Sequence, residues 1–344
     1  TAIGPFAGGW LVSAVSWRLI FLLNVPLAGA VLRSSWRVPE SVDPDADRHV
    51  DTTGAVLVVI GLAAITFALI QGSASGTPPV LTALMAAIGV AALVGFVVVE
   101  RSSSHPMVPL DIFSSRVFVA ANLVTVAVYG ALGGTFFLLA VDLQQVLHYS
   151  PLLAGAALIP ITVIMLFLSA RVGHLAQRIG PRLPMTLGPL IVALALVMMR
   201  RIAAGQSYWS GVFPEIVIFG LGLSLTVAPL TATVLAAVPE RHAGVASGTN
   251  NAVARAASLL TVAVLPRLSR ITGSSYRHPA AFSAGFHRSC LITAGLCAAG
   301  AAIAWAGIRE PEPGPPVVAA PAVARPVRRP HFCCPVDGPP LRRA

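Results

Sequence analysis

Apolar residues in this chain come in long unbroken runs, and the polar residues fall mostly between the runs. The run VLTALMAAIGVAALVGFVVV, from Val80 to Val99, has neither the two-residue alternation of a half-buried strand nor the narrow apolar stripe of a helix on a soluble core. It matches the ~20 residues that a helix needs to cross a hydrocarbon layer about 30 Å thick. Ten segments meet or approach that length: 1–13, 17–33, 53–72, 79–99, 117–141, 151–170, 183–203, 211–237, 245–267 and 287–308. Strands of a membrane barrel are only ~10 residues long and alternate polar with apolar. The runs do not alternate, so the pattern predicts an all-α integral membrane protein.

Composition agrees. Of 344 residues, 56% are hydrophobic and 10% charged, against roughly 45–50% and 25% in soluble domains. A globule of this make-up cannot cover its surface for water. All 23 basic residues are arginine and the formal net charge is +10. A nucleic-acid surface needs a dense basic stripe interleaved with stacking aromatics, and no connecting segment has one. The arginines are better read as setting topology. If residue 1 lies in a span leaving the cytoplasm, the cytoplasmic side holds Arg33, Arg101, Arg116, Arg171, Arg178 and the arginines of the tail. The outer side holds fewer, among them Arg200, Arg201, Arg267 and Arg270, as the positive-inside rule expects. This orientation makes the chain a multi-pass cell-membrane protein with a cytoplasmic C-terminal tail.

Enzymatic signatures are absent. There is no HExxH, no metal-ligand spacing among the histidines and no P-loop. Gly220-Leu221-Gly222 lies inside an apolar run without the strand-turn-helix context of a nucleotide fingerprint, and GVASG at 244–248 misses the GxSxG elbow. Catalytic, cofactor-binding and metal residues are therefore expected to be none. Any transport would draw on an ion gradient. Cys290 and Cys297, on the last apolar run, read as small hydrophobes.

Two segments stand apart from the spans. From Arg33 to Gly54 the chain is polar, and Asp43, Asp45, Asp47 and Asp51 imitate a calcium loop. The sixth position is Arg48 rather than Gly and the twelfth is Gly54 rather than Glu, which excludes calcium and leaves a solvated linker. After Arg309 the proline-rich EPEPGPPVVAAPAVARPVRRPHFCCPVDGPPLRRA has too few large apolar residues for a core and reads as disordered, with arginines suited to anionic lipid.

The glycine and proline cluster near the start has a meaning in lipid, where glycines let helices approach closely and neighbours tolerate a bent helix. GPFAGGWLVSAVSWRLIFLLNVP, residues 4–26, resembles the antiporter motif at the fifth span of the major facilitator superfamily and the start of its sixth. Gly4, Pro5, Gly8, Gly9, Ser16, Trp17, Arg18, Phe21, Asn24 and Pro26 carry the likeness. Further stretches resemble the fourteen-span drug:proton antiporters of the EmrB/QacA type: HPMVPLDIFSSRVFVAANLV at 105–124, LQQVLHYSPLLAGAALIP at 143–160, and GLGLSLTVAPLTATVLAAVPERHAGVASGTNNAVAR at 220–255. GHLAQRIGPR, at 173–182, is similar to the superfamily's cytoplasmic loop signature, with Gly173, Arg178, Gly180 and Arg182 in place and Gln177 where an aspartate is usual. The resemblance implies a major-facilitator-type bundle with an incomplete first half, spans one to four being absent. Residues 1–33 would be a remnant of the N-terminal bundle and 34–116 a cytoplasmic linker with two central spans. Residues 117–308 would form a six-helix C-terminal bundle, and 309–344 the tail.

A few polar residues inside the runs invite function. Arg255 shares a helical face with Asn251 at i−4 and Ser258 at i+3, which predicts a polar stripe toward the bundle interior. Arg255 is there either a cavity or gating charge or a structural arginine bonded to helix-end carbonyls. Glu215 either binds a proton, since desolvation favours a neutral carboxyl, or reaches the headgroups or pairs with Arg200 or Arg201. Asp142 is expected at the outer interface. Asn122, Thr125, Tyr129 and Gly133 recur along one face of the span 117–141, a pattern that fits a substrate cavity and close helix packing equally.

The resemblance implies proton-coupled export of small amphipathic compounds or drugs, with a small-molecule substrate, protons and membrane lipid as partners. The alternatives are a truncated, non-transporting remnant and a membrane sensor or assembly partner. The hydropathy pattern alone makes a first prediction. The purified chain stays monodisperse only in detergent or lipid, and a single sharp species on gel filtration in plain buffer would refute the spanning helices.

Overall fold

The computed structural model describes residues 8, 10–11, 16, 18–36, 51–72, 77–103 and 106–308. Gly4, Pro5 and Gly9 of the antiporter motif, the linker aspartates before Asp51 and the tail after Ile308 lie outside these residues. Among the described residues there are helices and no strands. A short turn of helix, Leu19–Leu22, leads into α1 (Asn24–Ser35), none of whose residues is buried. There follow α2 (Thr52–Gln71), α3 (Pro79–Ser102) and the long α4 (Arg116–Gln145). Next come α5 (Ile159–Ile179), entered through the short helix Pro151–Ala156, and α6 (Arg182–Met198). The series ends with α7 (Phe213–Ala236), α8 (Ala243–Leu268) and α9 (Pro279–Gly307).

Local chemistry sets the helix starts. The Asp51 carboxylate accepts from the Gly54 amide at 2.8 Å to open α2, and the Ser115 hydroxyl accepts from Phe118 at 3.3 Å to open α4. Each supplies one of the amide partners that a first turn lacks. Proline, whose missing amide costs nothing there, stands in the first turn of α3, α5, α7 and α9.

Seven helical stretches among the described residues are long and apolar enough to cross a membrane: Thr52–Gln71, Pro79–Ser102, Arg116–Gln145, Pro151–Ile179, Arg182–Arg201, Phe213–Ala236 and Pro279–Gly307. The expected span 245–267 corresponds to α8, which has the length but not the apolarity, because Thr249, Asn250, Asn251 and Arg255 lie along it. The expected span 17–33 is split between Leu19–Leu22 and α1, and is too short to count among the seven.

Helices α4 to α9 pack as a group. α4 lies against α8 and α9, α6 against α7 and α9, and α7 against α5. The interior holds Phe118, Leu138, Leu139, Met185, Leu196, Phe219, Phe282 and Phe286, all fully buried. The outer surface is as apolar as the interior, with Leu166, Phe167, Leu187, Leu194, Leu259 and Leu291 exposed, as suits helices whose solvent is acyl chain. α2 and α3 form an antiparallel hairpin that also touches α8.

Close approach at small residues holds these pairs together, because lipid supplies little hydrophobic force between helices. In the hairpin, Gly61 and Gly89 face one another: a Cβ on Gly89 would lie 3.0 Å from the Gly61 carbonyl oxygen. Between α6 and α7, a Cβ on Gly188 would meet the Thr226 hydroxyl and lie 2.9 Å from the Gly222 carbonyl oxygen and 3.0 Å from the Thr226 amide. Those obstacles include rigid backbone, so replacement there must push the helices apart.

Gly188→Val is therefore expected to lose about 1–3 kcal/mol, the usual cost of overpacking a tight interior. Gly295→Ala, where nothing lies within 4 Å of the added carbon, is expected to leave stability unchanged. Thermal unfolding of the two variants in detergent, side by side, checks both.

Candidate functional site

Side-chain hydrogen bonds join two of the packed helices at a seam where α4 meets α8. Asn250, on α8, donates through Nδ2 to Thr125 Oγ1 at 2.7 Å and to Asn122 Oδ1 at 3.2 Å. Asn122 is 7% exposed and Thr125 fully buried. Each also bonds back to its own helix, Asn122 Nδ2 to the Phe118 carbonyl at 2.9 Å and Thr125 Oγ1 to the Ala121 carbonyl at 3.0 Å. Among these side chains the polar demands are met by protein alone.

One turn further along, the phenol of Tyr129 is half-buried and within electrostatic reach of Arg255. Beyond it the two helices close up. A Cβ on Gly130 would lie 2.9 Å from Thr261 Oγ1, one on Gly134 would lie 2.8 Å from Thr261 Cγ2, and one on Gly133 would collide with the Ser258 side chain. The face that carries Asn122, Thr125 and Gly133 is thus a helix interface, with Tyr129 at its edge. Of the two readings that the sequence pattern left open, packing describes this face as it stands.

The predicted stripe on α8 needs correction. Asn251 and Arg255 are exposed, and Asn251 Nδ2 only bonds back to the Ser247 carbonyl at 3.1 Å. The face turned to α4 runs instead through Ala246, Asn250, Ala254, Ala257 and Thr261. Alanines allow the approach that Arg255 would forbid, so the helix turns its small residues inward. Asn250 went unrecognised; its signal is the small-residue spacing with Ala246 four positions before and Ala254 four after.

Two carboxyl groups lie deeper than expected. Asp142, anticipated at the outer interface, is 0% exposed, and neither carboxyl oxygen has a hydrogen-bond partner. Glu215 is 3% exposed, with Oε2 unpartnered and Arg201, exposed on the turn Met199–Arg201, within electrostatic reach. Both sit near helix ends, and sequence position alone suggested water beside them. Packing of α4 against α8 and α9, which the sequence does not show, is what buries Asp142.

The loop signature is shorter than predicted. Gly173 and Arg178 continue α5, whose Ala176-Gln177-Arg178 run favours helix, and only Gly180, at φ 83°, and Pro181 make the turn. Arg182, the first residue of α6, stacks its guanidinium 3.9 Å from the Trp305 ring centroid and donates Nε to the Trp305 carbonyl at 2.9 Å. This ties the start of α6 to the end of α9, a contact invisible in the motif itself.

Between spans, Tyr208 donates its hydroxyl to the Ala157 carbonyl at 3.2 Å and packs edge-on to Trp209 and Phe213. Burial pushes its phenol up, and the neighbouring Tyr149 adds to the effect. Burial also raises Tyr276. Both groups are anchors that stay neutral.

No cluster of three or more metal-ligating side chains occurs among the described residues.

Comparison with known proteins gives a consistent answer. The family model described as Major Facilitator Superfamily matches residues 1–262. The chain is 33% identical over 268 residues to multidrug resistance protein Stp of Mycobacterium tuberculosis, covering 77% of this chain and 49% of that protein. It is 32% identical over 252 residues to the lincomycin resistance protein of Streptomyces lincolnensis, covering 72% and 51%. It is 29% identical over 279 residues to the methylenomycin A resistance protein of Bacillus subtilis, covering 80% and 59%. The chain spans about half the length of the curated relatives it matches.

Two expected outcomes follow from this geometry. Asn250→Leu leaves the Asn122 carbonyl oxygen without its donor and lowers stability by about 1–3 kcal/mol, read from thermal unfolding in detergent. A double-mutant cycle of Arg182→Ala with Trp305→Leu gives a coupling of about 0.5–1 kcal/mol, the usual range for an exposed cation–π pair, whereas additive effects would show the contact to be idle.

Proposed function

We propose, from the premise that this chain belongs to the Major Facilitator Superfamily, that it serves the proton-coupled export of small amphipathic compounds or drugs across the cell membrane. Names of relatives support the substrate class: multidrug resistance, lincomycin resistance, and a tetracenomycin C resistance and export protein of Streptomyces glaucescens, 30% identical over 272 residues. The proposal includes the fourteen-span drug:proton antiporter branch and a cytoplasmic C-terminal tail.

The observation that carries the reading is the α4–α8 seam and its exposed margin. Transporters built from two bundles hold substrate between them and rock one against the other. In such a movement the paired face Asn122–Thr125–Asn250 keeps α4 and α8 together as one body. Arg255 and Asn251, exposed on α8 beside Tyr129, then line the path between bundles. A cation and a phenol on an otherwise apolar wall orient amphipathic compounds without demanding one shape. An exposed charge amid lipid is costly, by about 2.5–3.5 kcal/mol on insertion scales, which favours an aqueous path as the surroundings of Arg255. Glu215 is a candidate proton carrier in the same scheme. Gly180 turns the cytoplasmic end of the α5–α6 hairpin, Arg182 clasps it to α9, Gly173 and Arg178 lie on the last turns of α5 leading to it, and Gly4, Pro5, Gly8 and Gly9 act as the antiporter motif.

The test is dye release from proteoliposomes holding the full chain, driven by an imposed proton gradient. Wild type is expected to move dye only when the gradient is present. Arg255→Ala is expected to abolish the movement while still inserting normally, and Tyr129→Phe to slow it. Unchanged release by Arg255→Ala removes that residue from the path, and gradient-independent behaviour of the wild type overturns the transport reading.

A further inference from the structure

We infer that Asp142 is a proton-binding site at the C-terminal end of α4, buried where α4, α8 and α9 converge. This deepens the proposed function and rests on it for the role of the proton, though not for the existence of the site.

Three observations carry the inference. Asp142 is 0% exposed and both of its oxygens are without a hydrogen-bond partner. Buried polar groups are otherwise almost always partnered, so a fully buried carboxyl with neither oxygen bonded stands out as a candidate functional group. The second observation is that two more buried side-chain oxygens at this end of the bundle lack partners. Gln145 Oε1, one turn along α4, and Ser269 Oγ, just past α8, are also buried and unpartnered. The parallel register of α4 with α8, set by Gly130 against Ala257 and Gly134 against Leu265, brings Ser269 to the same end of the bundle as Asp142. These atoms are acceptors or can act as acceptors, and a protonated carboxyl is the donor that such a group lacks.

The third observation concerns charge. From α9, Cys290 faces Asp142 within electrostatic reach, and Arg200, on the turn after α6, acts on Cys290. His287, also on α9, is engaged with the Ile202 carbonyl at 3.2 Å. At the start of α7, Glu215 has Arg201 as its electrostatic neighbour. Arg267 and Arg270, at the end of α8, are exposed. No arginine is therefore bonded to Asp142, and among the described residues it belongs to no group of three or more metal-ligating side chains. The group that fits a lone, dry carboxyl is a proton: an O–H bond forms with a proton taken from water on one side and breaks when rearrangement of the helix ends readmits water on the other.

The site lies at the convergence of three helices, away from the α4–α8 seam that carries the proposed substrate path. Asp142 is separated from Asn122 by most of the length of α4, so proton and substrate would be bound at different levels and coupled through helix movement.

Infrared difference spectra between acidic and alkaline buffer test the site directly, on the full chain in lipid. Wild type is expected to show a protonated-carboxyl band with a component that disappears in Asp142→Asn and returns, shifted, in Asp142→Glu. An unchanged spectrum in Asp142→Asn overturns the inference, as does a band that responds to replacing sodium by choline rather than to pH. If Asp142→Asn fails to insert, Asp142→Glu alone decides, since its longer side chain must shift the component if the site is real. A transport arm separates this inference from the proposed function. Asp142→Asn is expected to lose gradient-driven dye release yet retain dye exchange between equal compartments. Loss of both points to a structural role and overturns proton binding, while a titrating band in a wild type that moves no dye leaves the site standing and the transport reading fallen.

Discussion

Where α4 passes α8, Gly130, Gly133 and Gly134 stand in for side chains, and the backbone of one helix rests almost on the other. Much of the rest follows from that approach. Only at such a separation can the short side chain of Asn250 reach both Asn122 and Thr125. Only with alanines at 246, 254 and 257 can α8 present a face narrow enough to be approached. In water the hydrophobic effect would bring large side chains together and leave polar ones to the solvent. In lipid that force is missing between helices, so steric fit and hydrogen bonds select the interface. The same logic recurs at Gly61 with Gly89 and at Gly188 with Gly222, which makes tight glycine crossings the repeated joint of this fold.

A structure assembled in this way treats its polar atoms unequally. Asn122, Thr125 and Asn250 satisfy one another, and Thr135 Oγ1 finds Thr293 Oγ1 on α9 at 3.3 Å. Hydroxyls of Ser224, Thr226 and Thr233 return to carbonyls of their own helix. Asp142 and Ser269 have no such partner, although they are as deeply placed, and the buried Oε1 of Gln145 has none either. Satisfied networks rigidify the bundle; the unsatisfied end is where its energy changes most when a proton, a water molecule or a moving helix arrives.

The arginines divide in a similar manner. Arg182 is fixed to the Trp305 ring and carbonyl, and so joins the first residue of α6 to the last turn of α9. Arg255 is exposed and touches the field of Tyr129 without being held. One is a clasp within the bundle and the other an exposed charge at its margin. Residue type does not distinguish them, since both are arginines with glycine or alanine close by in sequence.

The solvent of this protein, its helical class and the approximate extent of most of its spans were legible in the sequence. Hydropathy adds up along the chain, and a run such as Val80–Val99 needs no neighbour to declare itself. The family was legible too, through GHLAQRIGPR and the stretch ending in Asn250, Asn251 and Arg255. The rotation of each helix about its axis was not. Whether Asn250 or Asn251 faces α4 depends on which side can come close, and that depends on glycines more than a hundred residues away. Burial of Asp142 was equally hidden, because a position near a helix end reads as interfacial until α8 and α9 close over it. The amino-acid order by itself determined that these helices live in a membrane, since transfer of each side chain from water is a local property. Tertiary structure alone decided which polar groups meet and which are left without partners, since contact between helices is a property of pairs of surfaces.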